Sequence, residues 1–182
     1  MNILEADYGI GPLRDVEECI ESGIHKLFHR NKEQPWFDGC WMNEYGEVLH
    51  GALLVAGQAY LVGAVTDINS IRLSVGVNEL SKIEAYHKYP IRENGHSLIE
   101  LVNAGANYFK HHEEWGEEWP NNITTRTISS FSFTSEYILN EIVFEIIKSK
   151  YSKKSLWKLL FEWREQLISE TKHSKETTQK NG

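Results

Sequence analysis

Residues 51–65, GALLVAGQAYLVGAV, constrain this chain more than any other stretch: fifteen residues interrupted only by the amide of Gln58. A run this apolar has to be buried. Crossing a membrane as a helix takes roughly 20 apolar residues. Glu47 and His50 precede the run and Asp67 follows it closely, which predicts a place inside a protein core. The small residues Gly46, Gly51, Ala52, Ala56, Gly57, Ala59, Gly63 and Ala64 indicate how it packs. Each glycine inside a helix costs roughly 1 kcal/mol relative to alanine. Close approach of neighbouring backbones offsets that cost, so the run predicts a central helix over about 43–70, buried on more than one side.

The flanking sequence supplies partners of the same kind. After Gly11-Pro12, a proline suited to a first helical turn, Leu13, Val16, Ile20, Ile24, Leu27 and Phe28 recur at helical spacing, with Glu17, Glu18 and Glu21 opposite. This predicts a helix over 12–30. Trp36, Phe37 and Trp41 are expected to plug the following loop onto the bundle. A helix over 78–88, with Leu80, Ile83 and Tyr86/His87 inward, ends before Pro90. Ser97-x-x-Glu100 is a capping box that opens a helix over 98–115. Residues 119–134 read as the longest unstructured connection. Thr134 is expected to cap a helix over 135–150, and Ser152 or Ser155 to start the last helix, with Leu156, Leu159, Leu160, Trp163 and Leu167 inside. The expectation is an all-α, single-domain bundle of about five or six helices over 1–172, with a frayed polar tail over 173–182.

The helix over 98–115 carries a stripe that packing alone does not call for. Asn103, Asn107 and His111 recur every four residues, beside Ala104, Gly105 and Ala106. Asparagine competes with the helix backbone for hydrogen bonds. Either the stripe is a buried network reaching Asp67 or Asn69, or it lines a polar groove with Lys110.

The segment Asn-Ala-Gly-Ala-Asn-Tyr-Phe-Lys-His-His-Glu-Glu-Trp, residues 103–115, resembles a signature of small bacterial helical proteins related to the HEPN superfamily. The long helix ending Thr66-Asp67-Ile68-Asn69 is similar more loosely. The resemblance implies an all-α fold and an association with toxin–antitoxin, abortive-infection or CRISPR systems, where many members are RNases. As an RNase or RNA-binding protein, the chain would line its site with Asn103, Asn107, Lys110 and His111. The active nucleases of that superfamily share Arg-x(4–6)-His, and no arginine here has a histidine at that spacing; Arg92 and His96 come nearest. Without an arginine beside the histidine, stabilisation of a phosphate charge is lost. The match therefore speaks for the fold more than for cleavage.

Charge points to a partner. The net charge is −7. Residues 148–182 hold nine Lys/Arg against four Glu, a net of +5, so residues 1–147 carry −12. Glu113, Glu114, Glu117 and Glu118, with Trp115 and Trp119 among them, suit a basic protein surface: tryptophan anchors ringed by carboxylates. The basic end, 148–164, could track phosphates under the RNA reading.

Other chemistry lacks support. Cys19 and Cys40 form no CxxC or disulfide framework. The pairs Glu47/His50 and Glu84/His87 have a di-iron spacing, but a chain this rich in Glu and His produces such pairs by chance. There is no phosphate loop and no nucleophile elbow. No metal, cofactor or membrane partner is expected. The N-terminus lacks the pattern of a signal peptide, and the expected location is cytoplasmic. The expected function is a non-enzymatic immunity or antitoxin protein that neutralises a basic nuclease toxin through Glu113, Glu114, Trp115, Glu117, Glu118 and Trp119.

Overall fold

The structure is a computed structural model that describes residues 6–34, 36–116 and 118–180, with backbone only for 175–180. It is all-α. Seven α-helices occur among the described residues: α1 Ile10–Glu33, α2 Gly39–Ser74, α3 Lys82–His87, α4 Leu98–His111, α5 Ile123–Ser130, α6 Ile138–Lys148 and α7 Leu156–Lys180. A 3-10 turn, His112–Glu114, follows α4. Where a frayed tail is expected from 173, the helical backbone of α7 continues to Lys180.

The central position of α2 follows from its small residues. By length and composition α2 could cross a membrane, yet here it packs on α1, α4, α6 and α7. Gly51 lies against the Phe109 ring, Gly57 against Val102 and Leu156, and Gly46 against Asn140. On α4, Gly105 takes Leu54 and Ile142. One core joins Leu53, Leu54, Leu61 and Ile68 of α2 to Leu101 and Val102 of α4, Ile142 of α6 and Leu160 and Trp163 of α7.

Local signals set several helix starts. Asp38 accepts from the N–H groups of Cys40 and Trp41 at α2. Capping boxes Ser81/Glu84 and Ser97/Glu100 open α3 and α4. The inner stripe of α7 is buried as its periodicity predicts.

Elsewhere the structure departs from the sequence-based expectations. Residues 119–134 hold a helix, α5, opened by an Asn122/Thr125 capping box. Its Thr124, Thr125, Thr127 and Ile128 are buried where it packs on α4; burial of β-branched side chains overrides their weak helix propensity. Glu17 is not on a solvent face but buried, 3% exposed. Ile83 is 80% exposed and His87 is exposed too, rather than inward, because α3 is a short helix that turns only Ala85 and Tyr86 into the core. Of the three aromatics in the first loop, Phe37 alone is buried. Thr134 does not cap α6, whereas α7 begins directly after Ser155, as expected. At α6, Glu47 of α2 accepts from the N–H groups of Leu139 (2.7 Å) and Asn140 (2.9 Å). At α7, Glu17 of α1 accepts from those of Leu156 (2.7 Å) and Trp157 (2.8 Å).

Candidate functional site

The Asn stripe of α4 is partnered by the amide that interrupts the apolar run of α2. Gln58 Nε2 donates to Asn103 Oδ1 at 2.8 Å and to Asn107 Oδ1 at 2.9 Å. Lys110 Nζ donates to Gln58 Oε1 at 2.7 Å. The expected bridge to Asp67 or Asn69 does not form. Asn69 is engaged with the backbone of Leu80, donating to its carbonyl at 2.9 Å and accepting its N–H at 2.8 Å. Asp67 is exposed on another side of α2. The position to read was Gln58: a polar side chain inside a buried apolar run needs a partner.

The network is half-buried and opens onto a cavity of about 690 Å³ between α2, α3, α4 and α5. Gln58, Asn103, Asn107, Glu100, Lys82 and Arg126 supply its polar wall. The Tyr86 hydroxyl is buried without a hydrogen-bond partner among the described residues. Burial pushes its pKa up, so it stays protonated.

His111 does not join this cluster. It faces Glu114, with Nδ1 3.4 Å from Oε2, and is half exposed. The next histidine, His112, points back: its Nδ1 lies 3.0 Å from the Tyr108 carbonyl and its ring stacks on Tyr108 at 4.7 Å. Trp115 and Trp119 complete an aromatic cluster, 5.7 and 5.6 Å from Tyr108 and 6.1 Å from each other. Glu113, Glu114 and Glu118 are exposed around it. Glu117 lies outside the described residues. Trp115 is half-buried and Trp119 is 44% exposed. Tyr108 is pushed above its ordinary pKa, by burial first and then by Glu47 and Glu113.

Part of the basic C-terminal end is ion-paired. Lys148 pairs with Glu145 at 2.5 Å and Lys153 with Glu162. Arg164 is buried, beside Asp7 and Glu165. The Glu-x-x-His pairs are engaged too: Glu47 at α6, His50 with Asn140 Oδ1 (2.6 Å), Glu84 in its capping box and His87 with Glu100 (3.1 Å). No group of three or more potential metal ligands occurs among the described residues.

Fold and site together define an all-α bundle with two separate polar features: an aromatic–acidic face after α4 and a donor-lined cavity between α2 and α5. No protein-family model, curated protein or solved structure matches this chain.

Proposed function

We propose that this is a non-enzymatic binding protein whose partner is a basic protein, acting in the cytoplasm in the manner of an immunity or antitoxin protein that neutralises a nuclease toxin. The observation that carries this reading is the Trp115–Trp119–Tyr108 cluster with exposed Glu113, Glu114 and Glu118 around it. An aromatic anchor open to solvent supplies contact area at low entropic cost, and the surrounding carboxylates steer a cationic partner onto it. The −12 carried by residues 1–147 adds long-range attraction.

The test is calorimetry with a basic nuclease toxin encoded beside this chain. Trp119→Ala and the charge reversals Glu113→Lys, Glu114→Lys and Glu118→Lys are each expected to weaken binding. Affinity indifferent to all four would remove the face from the interface. Salt-sensitive affinity for single-stranded RNA, with none for the toxin, would instead favour the HEPN-like RNA reading. Cleavage that persists in His111→Ala would then exclude His111 from its chemistry.

A further inference from the structure

One cation sets the orientation of every amide in the α2–α4 network. Lys110 Nζ can only donate, so the Gln58 atom 2.7 Å from it is the oxygen. Gln58 Nε2 therefore faces the asparagines, and its two hydrogens go to Asn103 Oδ1 and Asn107 Oδ1. Each asparagine is left with its amide nitrogen to offer. Both residues line the cavity, and no hydrogen bond among the described residues uses either nitrogen.

The remaining polar wall has the same character. Lys82 has no ion pair among the described residues, and the Arg126 guanidinium touches Asn121 Oδ1 alone, at 3.3 Å. The carboxylate on the wall, Glu100, is already engaged by the Ser97 N–H (2.7 Å) and His87 (3.1 Å). Val62, Ile83, Ala104 and Ile123 make up the apolar wall, and Ile83 and Ile123 are exposed there. The volume is that of a small-molecule site. Donors left unmade in a half-buried place are unfavourable, and an anionic oxygen satisfies them better than a neutral one.

We propose that this cavity binds an organic anion with an aliphatic body. Its carboxylate or phosphate oxygens accept from Asn103 and Asn107 Nδ2 and face Lys82 and Arg126. Its chain lies along Val62, Ile83 and Ile123. The proposal stands apart from the toxin-binding face and does not depend on it.

The test uses the full chain with octanoate, octyl phosphate and octanol, followed by calorimetry and by the side-chain amide NMR signals of Asn103 and Asn107. At least one of the two anions is expected to bind about tenfold tighter than octanol and to shift both amide signals; which anion does so separates a carboxylate from a phosphate ligand. The double variant Lys82→Gln/Arg126→Gln is expected to lower anion affinity by about tenfold while leaving octanol unchanged. Lys110→Glu puts an acceptor where the donor stood. Gln58 then turns over, both asparagines follow, and the preference for octanoate over octanol is expected to fall by about tenfold. The proposal is overturned by equal binding of anions and octanol, by no binding of any of them, or by an anion preference that survives both the double variant and Lys110→Glu.

Discussion

The Leu156 N–H donates to the Glu17 carboxylate at 2.7 Å, across 139 residues of chain. The Trp157 N–H takes the second carboxylate oxygen at 2.8 Å. The first turn of a helix has N–H groups without intrahelical partners and a partial positive charge. Here a glutamate from α1 fills that place for α7, and Glu47 of α2 does the same for α6. Each carboxylate both caps one helix and docks another against it.

Removing either glutamate strands two N–H donors. Leaving buried donors unmade costs about 1–3 kcal/mol each, so Glu17→Ala is expected to lose about 2–6 kcal/mol in urea unfolding. Glu47→Ala should lose somewhat less, because Glu47 is only half-buried. The two sites cap different helices, so the double variant should lose close to the sum. A loss under about 0.5 kcal/mol for Glu17→Ala, the size of an ordinary surface change, would show that the cap is not structural.

The same carboxyls make stability depend on pH. Burial pushes Glu17 and Glu47 above the ordinary 4.5, more than their backbone N–H donors pull them back. The folded state then holds these protons more tightly than the unfolded chain does. Their contribution is fully present below about 4.5 and is lost as pH rises through the raised values. Comparing the protein with Glu17→Gln/Glu47→Gln isolates this component. The stability difference should move against the native protein as pH rises from about 4.5 through the raised values, and a difference moving the other way would reverse the sign assigned to burial.

Two glycines of α2 should respond oppositely to alanine. At Gly51 a Cβ would sit 2.1 Å from Phe109 Cδ2, so the ring must move, and a loss of about 1–3 kcal/mol is expected from overpacking. At Gly63 a Cβ meets nothing within 4 Å, and Gly63→Ala should gain about 0.5–1 kcal/mol from helix propensity. Thermal unfolding of both variants checks the pair; a gain at Gly51 would contradict the close approach of α2 and α4.

The acidic rim should be dispensable for folding. Glu113 and Glu114 sit beside histidines at 3.3 and 3.4 Å, but these pairs are largely exposed, and such pairs contribute little. Glu113→Lys, Glu114→Lys and Glu118→Lys should each leave the melting temperature almost unchanged. A clear drop for any of them would mark that residue as structural and withdraw it from the partner face.

Much of the helical plan was legible in the sequence. Ser97/Glu100, the Pro90 boundary and the periodic stripe of α7 each carry their signal within a few residues. The second helix was readable because small residues in a long apolar run have one common use. The fifth helix was not, since Thr-rich residues 123–130 are poor helix formers in isolation and gain their structure from α4. Of the candidate residues, Asn103, Asn107 and Lys110 belong to one network, while His111 faces away from it toward Glu114.

By itself the sequence determined an all-α chain with a buried small-residue helix, because periodicity and composition act over one helix at a time. Only the tertiary structure decided that Glu17 and Glu47 cap distant helices and that Gln58 meets the Asn stripe. The same holds for the direction Lys110 imposes on those amides. Each depends on groups brought together from far apart in the chain, and no local pattern records which polar atom will meet which.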